Sequence, residues 1–154
     1  MIHAVQRYLA PACEQVLETM FFTGILSAQE QTSLLGEGCI SATVGFEGPP
    51  DGYMRISMAT QTAAALASSF LGREPESLDP ADCSGVAGEL ANMICGALLS
   101  HYAEESEFHL AAPVLEQGVP PSPDDEHSVR ASLELPEGAL DVYVRVDRPQ
   151  SPPL

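Results

Sequence analysis

Only six basic residues face 22 acidic ones in this 154-residue chain, for a formal charge of −16 at pH 7. So little positive charge excludes the footprint of a nucleic-acid binder and argues against a surface that adheres to anionic lipid. The carboxylates are dispersed, so solubility is the plain reading, although a partner with a basic rim is steered toward such a surface. The apolar runs are far too short to span a bilayer. The stretch Met1-Ile2-His3-Ala4-Val5-Gln6-Arg7 lacks the charged and then apolar regions of a secretion signal. Cysteine is scarce: residues 13, 39, 83 and 95 form no C-x-x-C pair and no zinc-type spacing. Cys13, Cys39 and Cys95 lie in apolar segments and read as buried free thiols, which suits a reducing cytoplasm. No G-x-S-x-G elbow and no phosphate-binding G-x-x-x-x-G-K-[ST] loop occurs, which excludes the usual serine hydrolase and P-loop classes. His3, His101, His109 and His127 make no H-x-x-x-H pair. His101 and Glu105 share a helical face, but a solvated pair is favoured over a metal site.

The apolar content is 45%, and the length suits one domain with a real core. Helical spacing runs over residues 3–22 through Val5, Leu9, Val16, Leu17, Met20 and Phe21, with Pro11 expected to break or restart the helix and Thr23-Gly24 to end it. Residues 39–47 alternate, with Ile40, Ala42, Val44 and Phe46 on one face. A Gly48–Gly52 turn follows, and 53–58 alternate again with Met54, Ile56 and Met58 inward, a β-hairpin. Thr60 is the expected cap of a helix ending at Leu71, with Gly72 just beyond it. Asp79-Pro80 opens a second helix that runs to about Tyr102. Strands are expected at 107–115, 127–134 and 140–147, with Pro113 at an edge or bulge and 118–126 as a mobile loop. The order αββααβββ predicts an α+β fold, a mostly antiparallel sheet packed on two long helices. Residues 1–147 read as a single domain and 148–154 as a frayed tail. No internal repeat is present.

Within the second helix, Gly85-Val86-Ala87-Gly88-Glu89-Leu90-Ala91-Asn92-Met93-Ile94-Cys95-Gly96 carries three glycines, each costing roughly 1 kcal/mol relative to alanine. Gly85, Gly88, Asn92 and Gly96 fall on one stripe with Glu89 at its margin. Val86, Leu90, Met93, Ile94 and Ala97 form the opposite, core-facing stripe. A nearly bare face bearing one carboxylate and one carboxamide three residues apart lets another molecule approach closely. Spacing alone also suits an ordinary solvated helix face.

E-L-A-N-M-I-C-G resembles the E-x-x-N motif of the CheC/CheX-type chemotaxis phosphatases, CheX most of all. Leu17-Glu18-Thr19-Met20, Gly52 to Met58, Thr62-Ala63 through Gly72, and Ala112-Pro113-Val114 leading to Gly118 follow in that family's order, covering about residues 5–118. The resemblance implies a cytoplasmic phosphatase acting on the aspartyl phosphate of a CheY-like response regulator. Asn92 then orients the attacking water and Glu89 pairs with a lysine of the regulator. Gly85, Gly88 and Gly96 keep the inserting face slim. Mg²⁺ belongs to the regulator's pocket, with no cofactor bound by this chain, and a homodimer pairing through its sheets is implied. Where CheC-type members carry a second E-x-x-N on the first helix, this chain has Glu14 with Leu17 and Glu18 with Phe21, so one site is expected. Ala97 stands where the family pattern leads one to expect Asn. The alternatives are a module that binds and sequesters the regulator without hydrolysis, and a scaffold related to the flagellar switch.

Overall fold

The alternating segments pair as their pattern dictates. The computed structural model describes residues 2–30, 35, 38–48, 50–102 and 107–147; Glu105 of the suggested His101 pair and the expected tail at 148–154 lie outside them. Helix α1 (Ile2–Met20) is followed by strands β1 (Ser27–Glu30), β2 (Cys39–Glu47) and β3 (Gly52–Ala59). Helices α2 (Thr60–Leu71) and α3 (Pro80–Tyr102), joined by a 3₁₀ turn at Pro75–Ser77, lead to β4 (His109–Leu110), β5 (Val114–Gln117), β6 (Ser128–Leu135) and β7 (Gly138–Val146). The α+β fold is as expected, but β1 is an additional strand, and in place of one strand at 107–115 there are two short ones.

All seven strands form one antiparallel sheet in the order β1-β6-β7-β3-β2-β4, with β5 also on β2. The register sets Ala42 opposite Ile56, Ile56 opposite Val142 and Val142 opposite Ala131. That row and its neighbours Val44, Met54, Met58, Leu133, Leu140 and Val144 meet the three helices in one core. The interruption at Ala111–Pro113 has a simple cause. Pro113 has no N–H to give, and it lies between β4 and β5 on the outside of β2, where the missing donor costs no interior ladder bond.

Pro11 does not break α1, which runs through it. A mid-helix proline costs about 3 kcal/mol, yet Val5 and Leu9 on one side and Ala12, Cys13, Val16 and Leu17 on the other are all buried in the same core. That shared face holds both halves in line, while Pro11 itself is exposed. The first residue of α2 is Thr60, so its cap is Ala59, which offers no side-chain bond. Gly72 ends α2 as expected, at φ 65 with its N–H on the Ser68 carbonyl. Asp79 caps α3 through a reciprocal pair: its Oδ1 accepts from the Asp82 N–H at 2.8 Å, and Asp82 Oδ2 accepts from the Asp79 N–H at 3.1 Å.

Residues 118–127 do not hang free; they strap the sheet face turned away from the helices. Ser41 donates to the Gly118 carbonyl at 2.6 Å, the Tyr143 hydroxyl to the Pro123 carbonyl at 2.6 Å, and Arg130 to the Ser122 carbonyl at 2.9 Å. Arg145 meets Asp125 at 2.9 Å, and that guanidinium holds the Asp125 carboxyl below its usual range. Cys13, Cys39 and Cys95 are buried and in no disulfide; burial pushes the Cys13 and Cys95 thiols up to about 12. By length and composition alone α3 is long and apolar enough to cross a membrane, with a mean hydropathy of 1.3 over an 18-residue window. Half of that span is buried inside the protein against its own core.

Candidate functional site

The rotation of α3 is set by its apolar residues. Leu90, Ala91, Ile94 and Cys95 are fully buried, and Val86, Ala87, Leu98 and Leu99 nearly so. With those turned to α1, α2 and the sheet, Gly85, Glu89 and Asn92 are exposed and Gly96 is half-exposed. Met93 and Ala97, expected on the core stripe, lie at its border, partly buried against the core. Ala97, where the resemblance leads one to expect Asn, therefore falls at a packing position.

The stripe differs from expectation in one respect. Gly88 is at its margin, on the side opposite Glu89. Gly88 is buried, and a Cβ there would come within 3.3 Å of Pro113 Cβ and 3.6 Å of Leu115 Cδ2. Its bare surface is filled by the protein's own β5 rather than left for a partner. Gly85 and Gly96, by contrast, have nothing within 4 Å of an added Cβ. Stability should separate them. Gly85→Ala and Gly96→Ala are expected to stabilise by roughly 0.5–1 kcal/mol each, the helix penalty of glycine. Gly88→Leu is expected to destabilise by roughly 1–3 kcal/mol, as overpacking does. Urea midpoints at unchanged slope measure this; equal stability of Gly88→Leu and Gly85→Leu would refute the packing of β5 on α3.

Glu89 and Asn92 are adjacent one helical turn apart, and among the described residues neither is engaged in a hydrogen bond or ion pair. They project from a convex helix and line neither the cavity beside Asp124–Arg130 nor the groove at the end of α1. A carboxylate and a carboxamide exposed in this way can reach groups that an approaching surface presents. The carboxamide accepts through its C=O and donates through its NH₂, which suits it to holding a water against an electrophile. Leu17 on α1 and Phe21 just past its end are buried, so neither Glu14 nor Glu18 has a polar partner three residues on. His101 stacks on Tyr8 at 5.4 Å between ring centroids. Among the described residues no group of three or more His, Cys, Asp or Glu side chains is gathered to hold a metal ion.

The family model of the chemotaxis phosphatase CheX matches residues 40–131, more than half of the chain, and spans Glu89 and Asn92. No curated protein matches significantly. Among solved structures, the CheX–CheY–BeF₃–Mg²⁺ complex from Borrelia burgdorferi superposes with a TM-score of 0.75 at 20% identity, covering 92% of this chain and 97% of that one. A CheC-like superfamily protein from Shewanella sp. PV-4 gives 0.76 at 20%, covering 96% and 100%. FliY from Thermotoga maritima gives 0.61 at 14%, covering 93% and 86%. At such identities the likeness to these structures is one of fold. With the family match over β2 to β6 and the exposed pair on α3, the chain belongs to the CheX family of chemotaxis phosphatases.

Proposed function

We propose that this protein hydrolyses the aspartyl phosphate of a CheY-like response regulator, and that Glu89 and Asn92 carry the reaction. The observation that supports this most is their placement: two adjacent, unengaged polar side chains at the centre of an exposed helix face, flanked by open Gly85 and Gly96. The acyl phosphate is already activated, so catalysis reduces to positioning. Asn92 holds a water in line with the carboxylate leaving group. The water oxygen bonds to phosphorus, the bond from phosphorus to the aspartyl oxygen breaks, and inorganic phosphate and a free carboxylate result. Glu89 pairs with a lysine beside the phosphorylated aspartate and so aligns the helix. Mg²⁺ is assigned to the regulator's pocket. The setting is the cytoplasm, where such regulators act. The test is single-turnover loss of label from a phosphorylated receiver domain with and without the protein. Acceleration supports the reading, and tight binding without acceleration supports a sequestering module instead.

We further propose a two-fold homodimer through the outer edge of β5. All four residues of that edge strand are exposed, with Val114 at 57% and Leu115 at 44%, and an apolar open edge is a pairing site. Light scattering at tens of micromolar, an order-of-magnitude choice above ordinary dimer dissociation constants, is expected to give twice the chain mass. Val114→Lys should return the monomer, and a monomeric wild type would refute the dimer.

A further inference from the structure

The end of α1 carries two unfavourable features in one residue. Phe22 is the only non-glycine residue at positive φ among the described residues, at 56°, and its side chain is 79% exposed. The left-handed conformation is where helices commonly place glycine, because a side chain there is strained. The chain needs that conformation to turn: the Phe21 and Thr23 N–H groups both donate to the Leu17 carbonyl, at 3.2 and 3.1 Å. The turn does not need a phenylalanine. Phe21, its neighbour, is fully buried and stacks on Phe70 with centroids 4.9 Å apart. Phe21 thus anchors the turn, while Phe22 points its ring at water.

Phe22 is not isolated. Met20 is 42% exposed and Leu26 is 67% exposed. Phe22 lines a shallow groove with Glu18, Thr23, Gly24, Pro136 and Glu137. The Leu26 N–H donates to the Glu134 carbonyl at 2.7 Å, which sets Leu26 beside the end of β6. The surroundings are acidic: Glu18 and Glu134 are exposed, and Glu137 accepts from the Thr23 hydroxyl at 2.8 Å. No basic residue lines the groove.

A strained, exposed aromatic with carboxylates about it has the form of an anchor point, since strain of this kind persists where function retains it. Self-pairing would set these carboxylates against their own copies, which two-fold symmetry makes unavoidable. An anionic membrane is repelled for the same reason. We propose that Phe22 and Leu26 form a docking surface, separate from Glu89 and Asn92, for a segment of another protein with an apolar anchor flanked by Lys or Arg.

The test is selection of a random-peptide phage library on the full chain, followed by solution binding of the enriched peptides to wild type, F22S, F22G and the double variant E18Q/E137Q. The expected peptides pair an aromatic or aliphatic residue with Lys or Arg. They should bind F22S and F22G about tenfold or more weakly, and E18Q/E137Q more weakly with a flatter salt dependence. F22G supplies the structural control: its unfolding temperature should hold or rise by a few degrees, because glycine relieves the backbone. A large fall would overturn the proposal by showing that the ring packs in the fold. Enriched peptides without basic residues, or with equal affinity for F22S, would overturn it. So would self-association, or binding to phosphatidylcholine–phosphatidylglycerol vesicles, that F22S abolishes.

Discussion

Asn92→Ala is expected to lower the single-turnover rate of receiver dephosphorylation by about a hundredfold or more while leaving affinity for the regulator nearly unchanged. A hundredfold corresponds to about 2.7 kcal/mol of transition-state stabilisation, well within what positioning of a nucleophile supplies. The split between rate and affinity follows from the role. An orienting contact to the attacking water is realised chiefly in the transition state, so its loss appears in kcat rather than in binding. The variant is clean in other respects. Asn92 is exposed and makes no described contact in the folded protein, and alanine is the better helix former, so stability should hold or rise. Full activity in Asn92→Ala would end the proposed mechanism. A loss of affinity equal to the loss of rate would instead make Asn92 a docking residue.

Glu89→Gln is expected to act on encounter and binding. It retains shape and removes the charge proposed to meet a lysine. Truncating one member of a charge pair desolvated in a complex costs several kcal/mol, so about tenfold to a hundredfold weaker binding is expected at low salt. The wild-type interaction should weaken as salt rises and the variant's much less, because the screened attraction is already gone. Turnover at saturation should fall less than in Asn92→Ala. The free protein should be equally stable, since Glu89 is exposed and engaged in no described ion pair. Binding by Glu89→Gln as tight as wild type at low salt, with the same salt slope, would remove the proposed lysine contact.

Both variants probe a pair whose identity was legible in the sequence. E-L-A-N within a glycine-bearing helix, together with the family's ordered segments, singles out Glu89 and Asn92 as the proposed pair. The pairing of β2 with β3, the Asp79-Pro80 start and the Gly72 end were legible for a more local reason. Alternation, capping and left-handed glycine are local physics, read from neighbours a few residues apart.

What tertiary structure alone decided came from contacts distant in sequence. Pro11 continues a helix because the core holds both of its flanks. The short strand β1 is a strand because Ser27–Glu30 pair with Ala131–Glu134, a hundred or so residues on. The acidic loop at 118–127 lies down because Tyr143, Arg130 and Arg145 of two later strands reach it. The same holds at the site. A helical wheel places four small or polar residues on one stripe, but the stripe's edge is set by what packs beside it. Pro113 and Leu115, some twenty-five residues downstream, close over Gly88 and leave Gly85 and Gly96 open. The chemistry proposed for Glu89 and Asn92 rests on the family resemblance carried by the sequence, since periodicity alone also suits a solvated helix face. Only the packed chain decided which glycine serves the protein's own fold and which face remains for another molecule.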